Sequence, residues 1–429
     1  MKRRRFVGKQ RPGTADKTLR VFKTSGEELV STSAEEVGSV RELKLRVRAL
    51  CGLPRFRQRL LHEGVVLEDD TRLESRMDIQ LVLLNFCEAT EEEEDELTAA
   101  VKSHDVASVE QKLQRPQCPD ILETSEGADT PLCAASGNGN MEILHLLLEA
   151  RADVDAANGE DDTPLSLATI HGNVDVVDTL LKARADTEVG TRDEETPLTL
   201  AAAEGGREHW KIARLLLQAR ADIEATNSDN ETPLFVACEF GNEPVVSLLL
   251  QARADLNAEN CMGRTPMLAA STEDHVRIVR RLARAAVGTE SDGAPLRVAA
   301  KLGRFQVLRV LLAFRADLEA RDPHDRTALS LACDRRKEFS SRGSVVQLLV
   351  QARANANAKD EHGLTPLWYA VRHDHLRHVR LLLEAGADRQ QTDPRGKTLR
   401  EAARDNIQVL RLLSNRKLLR MPRKKSWMR

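Results

Sequence analysis

The sequence predicts two fold classes in series: a small α+β module, then a long all-α solenoid of stacked helix pairs. A Thr-Pro-Leu triplet recurs with a period of about 33 residues over most of the chain. Ahead of that array, residues 18–87 alternate apolar and polar positions and contain one helical stripe. Aromatic residues make up 3 % of the 429 residues and hydrophobic residues 41 %, so the cores must be built from Leu, Val and Ala. A chain of this length exceeds what one hydrophobic core supports.

In chain order, residues 1–17 form a basic tail (Lys2, Arg3, Arg4, Arg5, Lys9, Arg11) with no apolar stretch behind it. It is therefore not a secretory signal, and reads as a disordered solvated arm or as a nuclear address. Leu19 and Val21 alternate with Arg20 and Phe22 as a strand; a turn at Ser25-Gly26 leads to a second strand, Leu29–Thr32. Val40, Leu43, Val47 and Leu50 share one stripe of a helix over Val40–Leu50. Gly52-Leu53-Pro54, Gln58-Arg59-Leu60-Leu61, Gly64, Leu67-Glu68-Asp69 and Leu81-Val82-Leu83 complete a run whose order and spacing resemble ubiquitin. The resemblance implies a β-grasp, ubiquitin-like domain over 18–87. The last strand runs into Asn85-Phe86-Cys87-Glu88 with no Gly-Gly, so the module is expected to be integral and not conjugated. Ubiquitin's apolar interaction patch is matched at Leu61 and Val82, while its third member would fall near Ser25-Gly26. The sheet thus has two options, a receptor or the chain's own repeats. Residues 88–95, with Glu91-Glu92-Glu93-Glu94-Asp95, read as an acidic linker whose end can open the next helix.

Next comes the array. Its triplets are Thr130-Pro131-Leu132, Thr163-Pro164-Leu165, Thr196-Pro197-Leu198, Thr232-Pro233-Leu234, Thr265-Pro266-Met267 and Thr365-Pro366-Leu367, with weaker copies at Ala294-Pro295-Leu296 and Thr327-Ala328-Leu329. Small residues follow each triplet, often then a glycine, then a helix ending Leu-Leu and an Ala-Arg-Ala-Asp unit. Threonine caps the first helix, and proline suits its first position because the missing N–H costs nothing there. The second helix carries an apolar stripe such as Ile143, Leu144, Leu147 and Leu148, which one helix pair alone cannot bury. Period, triplet and Leu-Leu helix together resemble the ankyrin repeat family over 96–419, with eight TPL-type repeats and capping units at Glu96–Leu122 and Asp393–Leu419. The resemblance implies two antiparallel helices and a hairpin-like loop per repeat, and a concave face that binds protein. A second basic tail, 420–429, follows.

Departures from the family pattern carry their own expectations. Cys133, Ser166, Thr199, Phe235, Leu268, Arg297, Ser330 and Trp368 stand where the family has histidine, so its interhelical bonds must be missing or replaced. Thr196 to Thr232 spans 36 residues and Thr327 to Thr365 spans 38, which places insertions near Gly205–Trp210 and Arg336–Gly343. Thr265 to Ala294 spans only 29, and its Ala283-Arg284-Ala285-Ala286 marks a shortened loop and a soft spot. Arg151, Arg184, Arg220, Arg253, Arg315 and Arg353 replace the family glycine that ends the second helix, and only Gly386 keeps it. A left-handed backbone there costs a non-glycine residue about 1 kcal/mol or more. The arginines also suggest an anion rail, but each precedes by two residues an acid (Asp153, Asp186, Asp222, Asp255, Asp317) or Asn355, which neutralises the row locally.

A net charge of −3, with 31 % charged residues of both signs, gives no argument for a nucleic-acid partner. Seven scattered cysteines without a CxxC pair fit neither a disulfide framework nor a zinc knuckle, and favour a reducing, cytoplasmic compartment, with the nucleus as the alternative. No apolar run reaches the roughly 18–20 residues that cross a bilayer. Phosphate-loop, HExxH, GxSxG and kinase signatures are absent, so neither an enzyme nor a cofactor nor a small-molecule substrate is expected. His373, His375 and His378 come nearest to a metal cluster, and the expected metal count is none.

The loop tips grade from acidic (Glu160, Asp161, Asp162; Asp193, Glu194, Glu195; Asp229, Glu231) to mixed or basic (Arg264, Arg326, Arg395, Lys397). Asp161, Asp162, Asp193, Glu194, Glu195, Asp229, Glu231, Arg264 and Arg326, with Leu61 and Val82, are therefore the candidate partner-binding residues. The expected function is a non-catalytic scaffold or adaptor whose partners are other proteins, with a link to ubiquitin–proteasome signalling through the first module; the alternative is a nuclear regulatory ankyrin-type protein directed by its basic termini.

Overall fold

The computed structural model describes residues 17–85, 91–115, 118–120, 129–286, 293–334, 345–404 and 406–414, with only the backbone of 91–95. Both basic tails, Cys87 and the insertion at Arg336–Gly343 lie outside the described residues. The chain divides into two compact units, Met1–Arg192 and Asp193–Arg429.

The first unit opens on a mixed five-stranded sheet. It comprises β1 (Thr18–Lys23), β2 (Glu28–Ser33), helix α1 (Val40–Cys51), a 3-10 turn at Arg55–Arg57, β3 (Gln58–His62), β4 (Val65–Val66) and β5 (Met77–Leu83). The strand order is β2-β1-β5-β3-β4, with β1 and β5 parallel and the other pairs antiparallel. Leu19, Val21, Leu60, Ile79 and Leu81 from the sheet meet Val40, Leu43 and Val47 of α1 in one buried core. Each such side chain contributes about 1.5–3 kcal/mol on leaving water. Ser39 caps α1 by accepting the Glu42 N–H, and Gly52 ends it at φ 75°. Leu50, expected on the buried stripe, is exposed. At ~100° per residue it lies about 60° off the stripe's centre, in the last turn, where the helix runs out beside the sheet.

The same unit continues as three helix pairs: α2 (Glu91–Lys102) with α3 (Val106–Leu113), α4 (Pro131–Asn138) with α5 (Met141–Glu149), and α6 (Pro164–Ile170) with α7 (Val174–Lys182). The acidic run assigned to a linker thus already lies in α2. The first helices of each pair pack in one layer, α2 on α4 on α6, and the second helices in another, α3 on α5 on α7.

The second unit repeats this arrangement. Its pairs are α8 (Pro197–Glu204) with α9 (Gly206–Gln218), α10 (Pro233–Phe240) with α11 (Glu243–Gln251), α12 (Pro266–Thr272) with α13 (Val276–Ala285), α14 (Ala294–Leu302) with α15 (Phe305–Ala313), α16 (Ala328–Cys333) with α17 (Val345–Gln351), α18 (Pro366–Arg372) with α19 (Leu376–Glu384), and α20 (Leu399–Ala402) with α21 (Ile407–Ser414). The insertion at Gly205–Trp210 lengthens the second helix: α9 has 13 residues where α7 and α11 have 9.

The triplet works as its chemistry dictates. Thr130, Thr163, Thr196, Thr232, Thr265 and Thr327 each accept the N–H three residues on, and proline sits in the first turn of all these helices but the last. Thr365 precedes Pro366 in the same way but makes no side-chain cap. Where the family has histidine, hydroxyls and a thiol substitute. Ser166 donates to the Thr163 carbonyl at 2.8 Å, and the Cys133 thiol donates to the Ala156 and Asp162 carbonyls at 3.4 Å.

The Ala-Arg-Ala-Asp unit is a helix stop. The Arg184 N–H bonds the Leu181 carbonyl, and the Ala185 N–H reaches back to Leu180. This pairing puts Arg184 in the left-handed position and tucks Ala185 into the core. Arg151, Arg184, Arg220, Arg253, Arg315 and Arg353 all take φ between 61° and 71°, so each of these arginines is strained. In the irregular repeat α13 runs on to Ala285, so Arg284 lies inside the helix, and the residues directly after Ala286 lie outside the described ones.

Candidate protein-interaction surfaces

Six hairpin tips are each built by one short polar side chain. The Asn158 Oδ1 accepts the N–H groups of Glu160 and Asp162; Asn227, Asn260, Asp322, Asp360 and Asp393 do the same in their repeats. The residue three places on takes positive φ: Asp161, Asn230, Gly263, Asp325, Gly363 and Gly396. Neighbouring tips are joined as well, by the Cys261 N–H on the Asp229 carbonyl (2.9 Å) and by Asn260 on the Glu231 carboxylate (3.1 Å). The tips are therefore fixed turns that hold their remaining side chains outward.

Within the first unit, Asp161 is exposed and Asp162 half-buried, beside Glu160 and Asp129. Burial first, then the fields of Glu160, Asp129 and Asp161, push the Asp162 carboxyl above its usual range. Two cations stand beside them: Arg192 pairs with Asp161 and Lys102 with Asp129, each at 3.6 Å. In the second unit, burial and then the charges of Asp193, Glu231 and Glu204 raise the Glu195 carboxyl. Glu194 and Asp229 are exposed at the tips. The acidic candidates thus form two groups whose members repel one another.

The two arginines of the set are occupied. Arg264 pairs with Glu239 at 3.1 Å and lies 5.5 Å from the centre of the Phe235 ring. Arg326 binds Asp322 at 2.9 Å and stands 3.7 Å from Asp334. Arg326 also lines a cavity of about 450 Å³ with His324, Asp334, Asp360, Glu361, His362, Tyr369, Arg372 and His373. Its polar walls are internally satisfied: Tyr369 donates to Asp360, His373 bonds Asp334 at 3.1 Å, and His324 bonds Glu361 at 2.7 Å. Sequence reasoning missed this cup except for Arg326 and His373; the shared tip register of Asp322 and Asp360 was the available signal. The rings of His373, His375 and His378 follow one another at 6.0 and 5.1 Å, and among the described residues no group of three His, Cys, Asp or Glu is placed to hold a metal ion.

On the five-stranded sheet, Leu61 pairs with Gln80 and Val66, and Val82 with Arg59, so Leu61, Val66 and Val82 share the face away from α1. Leu61 and Val82 are half-buried, while Val66 and its neighbours Val65 and Leu83 are exposed.

Burial pushes the Cys133 thiol up to about 12, and those of Cys238 and Cys333 higher still, which keeps all three protonated and unreactive. No helix among the described residues is long and apolar enough to cross a membrane.

Comparison with known proteins places these features. A family model described as ankyrin repeats (3 copies) matches residues 97–193, 183–260, 296–393 and 338–418. The matched segments leave 261–295 between them, the repeat in which the Ala-Arg-Ala-Asp unit is degraded. An ankyrin repeat and KH domain-containing protein of Caenorhabditis briggsae is 33 % identical over 108 residues, 24 % of this chain and 4 % of that protein. An ankyrin repeat and LEM domain-containing protein 1 homolog of Caenorhabditis elegans is 43 % identical over 58 residues, 14 % of this chain and 8 % of that protein. The chain therefore spans under a tenth of the length of either relative. With the matched repeats covering more than half of its length, the chain belongs to the ankyrin repeat family.

Proposed function

We infer that the chain is a non-catalytic adaptor whose repeats bind a basic segment of a partner protein along the hairpin tips. The observation that carries this reading is the clustering of acids at two tip groups, where burial first and then the charges of neighbouring acids raise the Asp162 and Glu195 carboxyls above their ordinary values. Lysines or arginines from a partner would relieve that repulsion, and the field of the tips would speed their approach. Asp161, Asp162, Asp193, Glu194, Glu195, Asp229 and Glu231 are the contact residues; Arg264 and Arg326 shape their own repeats through Glu239, Asp322 and Asp334.

The sheet face with Leu61, Val66 and Val82 is a second docking surface. The strand order and the single helix packed on the sheet support the ubiquitin-like reading of this module. A role in ubiquitin-dependent pathways follows if that face binds a ubiquitin-recognising helix, which titration with such a helix tests. For the repeats, affinity capture with the full chain over a salt series is the experiment. Partners held at low ionic strength and released by about 0.5 M salt support steering by the tips; partners retained equally at both overturn it.

A further inference from the structure

Among the described residues Arg55 is the largest fully buried side chain, at 0 % exposure. A buried guanidinium is costly unless every face of it is paired. Only one of its carboxylates, Asp69, comes from the sheet module. The other two come from the repeats: Glu149, the last residue of α5, at 2.7 Å from Nε, and Glu110 of α3 at 2.8 Å from Nη2. Arg41 of α1 also reaches Glu110, at 3.4 Å, and buried Lys44 shares Asp69. The module therefore brings Arg41, Lys44 and Arg55 against a single carboxylate, and the repeats bring the two carboxylates that balance them. Burial alone would depress the Arg55 guanidinium; the bonds to Glu149 and Glu110 and the field of Asp69 reverse this and hold it above its ordinary value. The module's apolar core, meanwhile, is made of its own residues between Leu19 and Leu81.

We propose that the N-terminal module is a ligand of its own repeats, docked through Arg55 into a receptor formed by Glu110 and Glu149. The docking site is ionic and buried, so it is specific for a planar, multiply donating cation and resists salt. It makes the module and the first two helix pairs one cooperative body, and it closes Glu110 and Glu149 to basic side chains of outside partners.

The test is Glu149→Gln in the full chain, a change on the repeats read out in the module by amide hydrogen exchange. A docked module loses protection at the Arg55–Arg57 turn and in β3 by about tenfold or more, because a buried cation is left short of a partner. Adding Arg55→Met then lowers the urea midpoint no further than Arg55→Met alone. Unchanged exchange in the module, or fully additive midpoints, overturns the proposal. Should Glu149→Gln disturb the repeats themselves, Arg41→Gln, at an exposed side chain of the module, is read at the amides of α3: faster exchange there supports docking, and no change refutes it.

Discussion

In the N-terminal module the decisive charges lie inside, where Arg55 and Lys44 are buried against Asp69, Glu110 and Glu149. In the repeats they stand outside, where Asp193 and Glu194 are exposed at a hairpin tip and Asp161 is exposed beside Arg192. The apolar groups divide the same way. The module closes its core on itself, while each repeat leaves an apolar face that only the next pair covers. Buried charge with all its partners holds parts together; exposed charge stays open to recruit further ones. The two regions use the same residue types for attachment and for recognition, and exposure decides between those uses.

The largest expected effect probes the shared core of the repeats. Leu249 of α11 is fully buried, and Leu249→Ala is expected to cost about 2–5 kcal/mol in a urea melt. Because α11 packs on α9 and α13, faster amide exchange should spread to both. A loss confined to α11 would break the contrast with the self-contained module.

A smaller effect, of opposite sign, concerns the strained arginines. Arg184→Gly relieves a left-handed residue, and part of the gain is returned to the unfolded chain as entropy. The expected outcome is a stabilisation of about 0.5 kcal/mol. A clear loss would show that the Arg184 side chain contributes contacts of its own.

The smallest effect sharpens the account of the acidic tips. The Asp162 carboxyl is raised on folding, so the native state binds its proton more tightly than the unfolded chain does. Stability then falls as pH climbs from about 4 through the raised value, and the penalty is complete above it. Asp162→Asn should therefore raise the melting temperature by a degree or so at pH 7 and leave it unchanged below about pH 4. A destabilised variant at pH 7 would mean that Asp162 is paired, not repelled.

Much of this organisation was legible in the sequence. Threonine caps, first-turn prolines and the Ala-Arg-Ala-Asp stop are local devices, and each is set by residues within five positions of one another. The irregular repeat was legible in part, because the degraded Ala283-Arg284-Ala285-Ala286 unit coincides with a helix that runs on to Ala285. Arg55 was not. Its partners Glu110 and Glu149 lie 55 and 94 residues away, and neither periodicity nor spacing connects them to the turn after Pro54. Docking of the sheet on the chain's own repeats is one of the two options the sequence leaves open, and the ion pairs among the described residues use the Arg55–Arg57 turn and α1. Among the tips, the sequence located the acids, but it could not tell that Arg264 and Arg326 are engaged with Glu239, Asp322 and Asp334. Charge type reads from sequence; pairing needs the third dimension.

The most direct measurement of the central claim compares the full chain with a variant carrying Asp161→Asn, Asp162→Asn, Glu194→Gln and Glu195→Gln. Each is titrated with the same captured partner at about 0.15 M salt. If the hairpin tips recruit a basic segment, the variant keeps its fold, is at least as stable as the parent at pH 7, and binds about tenfold or more weakly. An unchanged Kd in a folded variant would contradict the account.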